Sequence, residues 1–431
     1  MSQMISETPT TTVRTGSTHV RYKVLAMAVL LAGITYLDRV CISSTAPYMM
    51  RDLGLTPVQM SFVFSAFTLA YGIFEIPTGW WGDRVGTRRV LTRIVSWWSA
   101  FTIATGGVFN YASLLATRFL FGIGEAGAWP NVARTFSRWM PRSERGTAQG
   151  IFFMGAHLSG GLTPLLVTAV LGVMHWRAIF VLFGSVGSVW AVLWYRWFRD
   201  DPSMHPEVSE RELTLIQQGR VIESGHGSGT PWKRLLANRH VAGLCLMYFT
   251  QTYGFYFYVT WLPTYLKSTS AFSPLMLGIL SGMPLILSVL ADLFGGLTTD
   301  RLTRRWGPRA GRAMVGGGSL FAAGVFMICG ASAGVPLAAA ILISLAGAAS
   351  NFLLGAAWGT CIDMGGRHSG VLGGTMNTAG QVGGVLSPVV AALIVQRFSS
   401  WSGPLYVTGT LYLLGSLCWL WIDPRRHLGE E

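Results

Sequence analysis

The stretch Gly79-Trp-Trp-Gly-Asp83-Arg84-Val-Gly86-Thr-Arg88-Arg89 joins two long apolar runs of the chain. A shorter copy of the pattern occurs about half a chain length later and consists of Asp292, Gly296, Asp300, Arg301, Arg304 and Arg305. Glu75 precedes Asp83 at the same spacing as Asp292 precedes Asp300. A repeat at half length indicates that the chain consists of two similar units.

Apolar runs recur along nearly the whole chain. Hydrophobic residues make up 51% of its 431 residues and charged residues 12%. A run of about 20 apolar residues is long enough to cross a bilayer as a helix, and the alternation typical of membrane strands is missing from the sequence. We predict twelve membrane helices, numbered segments 1 to 12, at 22–47, 58–82, 89–109, 111–137, 146–172, 177–198, 239–267, 274–299, 312–331, 335–362, 369–396 and 402–422. The prediction is an all-α membrane protein with two pseudo-symmetric six-helix bundles.

The only long polar stretch inside the chain separates segment 6 from segment 7. It includes a Gly/Ser-rich part, which is typical of a flexible linker. We therefore predict a disordered tail at 1–20, a first bundle at 21–198, a loop at 199–238, a second bundle at 239–423 and a tail at 424–431.

The net charge of +13 indicates orientation rather than a nucleic-acid partner. Most of the 32 Lys and Arg residues lie on the side of the central loop, and only Arg51, Lys267 and Arg397 lie in connections on the other side. Because basic residues collect on the cytoplasmic side, both termini are expected in the cytoplasm. The expected location is the inner (plasma) membrane of a cell.

Two of the apolar segments contain opposite charges. Segment 1 holds Asp38 and Arg39, and segment 4 holds Arg118 and Glu125. A charge at the middle of a bilayer costs several kcal/mol, so such residues usually line a pathway for a solute or an ion. Arg118 and Glu125 are nearly two helical turns apart and share a face, whereas Asp38 and Arg39 point in different directions. One arrangement directs Arg39 into a cavity and Asp38 toward Arg118.

The stretch at 79–89 resembles the loop signature of the major facilitator superfamily, Gly-x-x-x-Asp-Arg-x-Gly-x-Arg-Arg. The chain also resembles the anion:cation symporters of that superfamily, which include hexuronate, galactonate and glucarate permeases and the sialic acid and vesicular glutamate carriers. The closer resemblance lies in Tyr36–Arg39, Arg118–Glu125, Trp261–Tyr265, Trp358 with Asp363, and Met376–Thr378. It implies proton-driven uptake of an organic anion by alternating access between the two sides.

The resemblance assigns proton coupling to Asp38 and Glu125. It implies that the substrate contacts the segment 1 arginine and aromatic and amide groups, which match here at Tyr36, Arg39, Tyr71, Arg118, Trp358 and Asn377. Polar surroundings within the segments add His157, Tyr253, Asn351 and Gln381 as further substrate-binding candidates. Near His157, relatives often have an amide.

A carboxylate can couple protons to the anion because its protonation would free an arginine. Arginine stays charged and can hold a substrate carboxylate through two hydrogen bonds. The alternative is a structural ion pair that locks segment 1 to segment 4. For His157, the alternative is a simple hydrogen bond to a neighbouring helix.

The two copies of the loop pattern are interpreted as a conformational latch, because they lack the spacing of a phosphate-binding loop. Asp83 can accept hydrogen bonds from a helix N-terminus in the other half or pair with loop arginines. The predicted latch residues are Glu75, Gly79, Asp83, Arg84, Gly86, Arg88, Arg89, Asp292, Asp300 and Arg301.

The sequence offers no cluster typical of a metal site, a catalytic nucleophile or a nucleotide cofactor, so we expect no enzyme and no coupling agent other than protons. The favoured function is import of a sugar acid (a hexuronate, aldonate or aldarate) by proton symport, by a monomer in a lipid bilayer. The alternatives are an exchanger or permease for aromatic, dicarboxylic or inorganic anions, and a sensor that binds a solute without moving it.

Overall fold

The computed structural model describes residues 18–218, 232–269 and 272–427, and these residues are mainly helical. The first half contains α1 (Val20–Leu53), α2 (Pro57–Val85), α3 (Thr87–Thr105), α4 (Tyr111–Glu125), α5 (Ala128–Trp139), α6 (Arg145–Leu171) and α7 (Trp176–Trp197). The central loop contains α8 (Glu210–Gln217) and α9 (Trp232–Ala237). The second half contains α10 (Arg239–Thr260), α11 (Leu262–Thr269), α12 (Pro274–Ser332), α13 (Pro336–Phe352), α14 (Leu354–Gly365), α15 (Ser369–Phe398) and α16 (Ser402–Cys418).

The twelve predicted segments are recognisable in these helices. Three segments are interrupted: segment 4 forms α4 and α5, segment 7 forms α10 and α11, and segment 10 forms α13 and α14. Segments 8 and 9 run together in α12, where Gly307 has a φ of 81° and marks the turn between them. Glycine adopts this positive φ without the steric penalty that other residues meet.

Six stretches of the described residues are long and apolar enough to cross a membrane by length and composition alone. They are Val20–Ala46, Phe62–Val85, Arg142–Leu171, Trp176–Trp197, Ile279–Ser332 and Pro336–Val395. The last two contain 54 and 60 residues, enough for two crossings each. The remaining predicted segments correspond to α3, α4 with α5, α10 with α11, and α16, which are more polar, shorter or interrupted.

The two halves meet along two related contacts, α2 against α15 and α6 against α12. Glycines allow the backbones to approach closely in both. A Cβ on Gly374 would lie 2.9 Å from the carbonyl oxygen of Glu75, and a Cβ on Gly296 would lie 3.1 Å from the Cα of Gly150. Small residues at helix contacts in membranes permit this packing. The contacts enclose a space at the centre of the molecule.

We call the end of the molecule that contains Asp83, Asp300 and the central loop the latch end. There, the Glu212 carboxylate of α8 accepts hydrogen bonds at 3.0 Å from the backbone N–H groups of Val20 and Arg21. The described part of the central loop is therefore held against the start of α1. Most of the predicted N-terminal tail, the Gly/Ser-rich linker and the last four residues of the C-terminal tail lie outside the described residues.

Candidate functional site

A cavity of about 80 Å³ lies between the two halves, near the middle of α1 and α15. It is lined by Tyr36, Arg39, Trp129, Phe153, His157, Tyr248, Gln251, Thr252, Phe255, Tyr256, Asn351, Leu354, Asn377 and Gln381. Two of the lining residues lie next to the interruption of a segment, since α5 begins shortly before Trp129 and α13 ends just after Asn351. A concave site with aromatic walls and a few polar groups is suited to a small polar ligand.

Arg39 places a guanidinium at this cavity. It forms an ion pair with Glu125 at the end of α4, and the Glu125 side chain is fully buried. The Arg39 Cζ atom lies 4.7 Å from the ring centre of Tyr71 and 5.2 Å from that of Phe67, within the range of cation–π attraction. Its Nη2 atom has no hydrogen-bond partner among the described residues. The arginine is therefore held in place while part of its donor set stays available.

Asp38 and Arg118 lie behind this pair and are almost completely buried. Asp38 interacts electrostatically with Arg118 and Glu125, and Arg118 interacts with both carboxylates. The Arg118 Cζ atom lies 4.3 Å from the ring centre of Phe121 on its own helix. The four predicted charges thus form one connected group, with Arg39 the member at the cavity.

This group contains two cations and two carboxylates. A buried charge left without a partner is costly, so a proton taken up by one carboxylate would leave an arginine in need of a new anion. Guanidinium groups bind carboxylates and sulfonate-like oxygens through parallel hydrogen bonds. The arrangement can therefore exchange a protein carboxylate for a bound acid when it gains a proton.

Glu75 joins α2 to α15 beside the cavity. It is buried, accepts a hydrogen bond from the amide of Asn377, and accepts another from the Tyr71 hydroxyl at 3.3 Å. Although it was predicted with the latch, it lies slightly more than two helical turns, about 12 Å, from Asp83 along α2. It connects the two halves at the depth of the cavity.

His157 and Asp292 form a second connection between the halves, from α6 to α12. The His157 Nδ1 atom lies 2.6 Å from the Asp292 carboxylate, and both side chains are buried. The His157 ring centre is 6.0 Å from that of Tyr36, whose other neighbour is Trp129 at 6.2 Å. Asp292, also predicted with the latch, therefore contacts a residue that lines the cavity.

Amide groups of the second half form the opposite side of the cavity. Gln251 donates to the side-chain oxygen of Asn351 at 3.0 Å, and Asn351 in turn donates to Ser288 at 2.6 Å. Gln381 accepts a hydrogen bond from the Tyr256 hydroxyl at 3.0 Å. These linked amides and hydroxyls can exchange partners with the hydroxyl groups of a ligand.

Four predicted substrate-binding residues do not line the cavity. Tyr71 lies beside Arg39, and Arg118 interacts with Glu125 and Asp38. The other two are Tyr253 and Trp358. Tyr253 packs against Phe249, because it lies about 130° around α10 from the centre of the face that presents Tyr248, Gln251, Thr252, Phe255 and Tyr256. Trp358 is 1% exposed and stands behind the wall, where its Nε1 atom donates to the Tyr248 hydroxyl at 3.1 Å. Segment 7 contains so many aromatic residues that the sequence alone did not show which of them line the cavity.

The latch aspartates each reach a helix N-terminus in the other half. Asp83 accepts the N–H groups of Gly370 and Val371 at 3.0 and 2.8 Å, at the start of α15. Asp300 accepts those of Gly146 and Thr147 at 2.9 and 2.6 Å, at the start of α6. Negative charge stabilises a helix N-terminus, so each contact holds the latch end closed.

The other predicted latch residues differ in their surroundings. A Cβ on Gly79 would overlap the carbonyl oxygen of Gly370, so this glycine lets α2 and α15 meet. Arg84 stacks on Trp80 and Arg88 donates to the Tyr195 carbonyl, both within the first half. The remaining three are Gly86, which has a φ of 92° and turns the chain between α2 and α3, and the exposed Arg89 and Arg301.

A further charge cluster at the latch end was not predicted, although Asp363 was among the residues that carry the family resemblance. The buried Asp363 at the end of α14 pairs with Arg142 at 3.2 Å, with Arg312 at 2.8 Å and with Arg145. These arginines were interpreted only as part of the basic excess on one side of the membrane. A single acid among many bases, directly after an apolar run, is the signal that would have singled out Asp363.

Comparisons with known proteins agree with this architecture. The family model of the Major Facilitator Superfamily matches residues 28–388. The chain is 34% identical to the probable sulfoacetate transporter SauU of Cupriavidus necator, over 94% of both proteins. It is 30% identical to the probable galactarate/D-glucarate transporter GudP of Bacillus subtilis, over 94% of this chain and 92% of the relative.

Solved structures share the fold. The proton:xylose symporter XylE superimposes with a TM-score of 0.73 over 94% of this chain and 96% of its own, at 13% sequence identity. The all-α prediction with two related halves is thereby confirmed. The chain belongs to the major facilitator superfamily and is a multi-pass membrane transporter, not an enzyme.

Proposed function

We propose that this transporter imports a small organic acid across the inner membrane by proton symport. The observation that carries the proposal is the Arg39–Glu125 ion pair at the central cavity. Arg39 faces the cavity and has Glu125 as its carboxylate partner. Protonation of Glu125 would therefore free the guanidinium to bind an anion from the cavity. The names of the two relatives, which refer to sulfoacetate and to galactarate and D-glucarate, support an acid as the substrate.

Each part of the site has a separate task in this proposal. Glu125, linked to Asp38 through Arg118, takes up the proton, and Arg39 then binds the acidic group of the substrate. The amides around Gln251 bind the neutral remainder. A sugar acid suits this division, because its hydroxyl groups match the linked amide and hydroxyl side chains.

Alternating access follows from the contacts between the halves. The latch end is held by the two aspartate caps and by the Asp363 cluster, and we assign this end to the cytoplasm because it carries the basic loops. A transporter closed on that side receives its substrate from outside. Release inside requires the caps to break.

Ligand-induced stabilisation tests the anion site. The purified protein is heated with hexuronates, aldonates, aldarates or sulfoacetate, and a ligand that binds raises the unfolding temperature with its occupancy. Arg39→Ala should abolish the response to every acid. Arg51→Ala is the matched control, because Arg51 lies exposed at the far end of the same helix and should respond as the unmodified protein does.

Transport by proteoliposomes tests the coupling. Accumulation of the responding acid should require an inward proton gradient, and Glu125→Gln should exchange the acid across the membrane without concentrating it. Gradient-independent accumulation, or an Arg39→Ala protein that still binds the acid, would contradict the proposal. Exchange of internal for external acid in the unmodified protein without proton movement would favour an exchanger.

A further inference from the structure

The described lining of the cavity contains one basic side chain besides Arg39. His157 lines it from α6, and its Nδ1 atom is engaged by Asp292 at 2.6 Å. The other ring nitrogen, Nε2, lies on the edge of the imidazole away from that contact. One edge of this ring therefore connects the two halves, and the other is available to a ligand.

Asp292 has the means to keep the imidazole charged. Its side chain is fully buried, and its Oδ1 atom has no hydrogen-bond partner among the described residues. A buried carboxylate is costly unless it is paired with a positive charge. A proton shared within the pair satisfies this need and leaves Nε2 as an N–H donor.

Arg39 and His157 both lie next to the ring of Tyr36. The Arg39 Cζ atom is 5.7 Å from the ring centre of Tyr36, and the His157 ring centre is 6.0 Å from it. The two cationic groups are thus at most about 12 Å apart. Hydrogen bonds of about 3 Å at each end leave up to roughly 6 Å for a bridging molecule. A small molecule with two acidic groups can span this gap.

We infer that the transporter selects doubly acidic substrates, with Arg39 binding one acidic group and His157 binding the other; this rests on the proposed function of the cavity as an anion site. Asp292 is a positioning residue that holds the histidine and its proton. An acid with a single charged end leaves the histidine without its ligand and binds more weakly. Carboxylate and sulfonate groups both satisfy an imidazolium donor, so the inference covers diacids of either kind.

The charge of His157 depends on the groups that face it. These are Asp292 from α12, Tyr36 and Arg39 from α1, and Tyr256 from α10. The adjoining residues of α5 and α14 at the cavity are aromatic or aliphatic. Among these groups Asp292 is the carboxylate in contact with the ring, so it is the group that positions the imidazole.

Calorimetric binding of D-glucarate and D-gluconate to the purified full-length protein tests the inference. The two acids differ at one end, where glucarate has a carboxylate and gluconate a hydroxymethyl group. The unmodified protein should bind glucarate at least about tenfold more tightly. His157→Gln should reduce that ratio to below about threefold, because glucarate binding weakens more than gluconate binding.

A matched control is available in the exposed pair His175–Asp52, which joins the same residue types at 3.2 Å far from the cavity. His175→Gln should keep the full preference. Asp292→Asn should lose the preference as His157→Gln does, whereas Asp292→Glu, which keeps a carboxylate, should retain it. A purely structural role would not distinguish these two variants.

The outcomes separate the inference from the proposed function. Equal binding of both acids by the unmodified protein, or a preference that survives in His157→Gln, overturns the doubly acidic substrate. Each of those results is compatible with an Arg39 anion site. Undiminished binding by Arg39→Ala overturns the proposed function itself.

Discussion

Asp83→Asn removes a negative charge from the N-terminus of α15 while keeping the size of the side chain. In the structure, the carboxylate accepts two backbone N–H groups, from Gly370 at 3.0 Å and from Val371 at 2.8 Å. Arg134 lies 3.4 Å away in its own half. The substitution should therefore weaken the closure of the latch end without changing the cavity.

The size of the effect follows from the two hydrogen bonds. Bonds to a charged group contribute about 1.5–3 kcal/mol each and neutral bonds about 0.5–1.5, so the loss of charge costs about 1 kcal/mol or slightly more per bond. The loss of interaction with the helix dipole adds a few tenths. A total of about 2–3 kcal/mol would raise the population open at the latch end by about 30- to 150-fold.

Cys361 can report this opening. It is buried in α14, and a Cβ on Gly373 would lie 3.6 Å from both its Sγ atom and the Cα of Pro130 in the other half. The thiol is therefore next to the contact that must separate. The four remaining cysteines are replaced by serine or alanine, and maleimide labelling of Cys361 is followed over time in membranes without ligand.

Maleimide should label Cys361 about 30- to 150-fold faster in the Asp83→Asn protein than in the unmodified protein. Asp200→Asn is the control, because Asp200 caps α3 by accepting the N–H of Arg88 at 3.0 Å within the first half. It removes the same chemistry without touching the contact between halves and should leave the labelling rate unchanged. A rate for Asp83→Asn within threefold of the unmodified protein would refute the reasoning.

Three further substitutions test other parts of the structure by thermal unfolding or ligand titration. Gly82→Ala should destabilise the protein by about 1–3 kcal/mol, because the new methyl group would overlap the buried side chain of Asn131. Trp358→Phe should weaken ligand binding less than tenfold, because Trp358 reaches the cavity only through its hydrogen bond to Tyr248. Burial alone would raise the pKa of Glu212, but hydrogen bonds from the start of α1 leave it below its ordinary value. Glu212→Gln should therefore destabilise the protein by about 1–2 kcal/mol at neutral pH, and the difference should disappear in acid as the carboxylate is protonated.

The fold could be predicted from the sequence because hydropathy and the loop repeat are local signals. Apolar runs located the helices, and the two copies around Asp83 and Asp300 indicated two related halves. The interruptions at Glu125 and Phe352 were not predicted, because a short break within an apolar run leaves the mean hydropathy unchanged. These interruptions shape the cavity, so its outline required the structure.

The candidate site could be predicted only in part, because the sequence does not show which way each helix is rotated or which residue of another helix a side chain contacts. Charge at membrane depth singled out Arg39 and Glu125, but their pairing depends on how α1 and α4 rotate against each other. Asp292 was grouped with the latch because it shares the repeat spacing, whereas its contact is with His157. Spacing along a helix gives the face of a residue and not its neighbour on another helix.

The reciprocal caps have a consequence for how such a molecule can be assembled from a smaller one. The aspartate of each half caps the helix that forms the fifth membrane segment of the other half, α15 for Asp83 and α6 for Asp300. The same contact is therefore made twice, about an approximate twofold axis. An isologous contact of this kind completes itself when two identical subunits meet. A six-helix chain with one aspartate and one free helix N-terminus would already contain both parts of the closure. Joining two such chains end to end keeps the contact and allows the cavity wall of each half to change independently. The two walls now differ, since the first half contributes Arg39 and the second contributes Gln251.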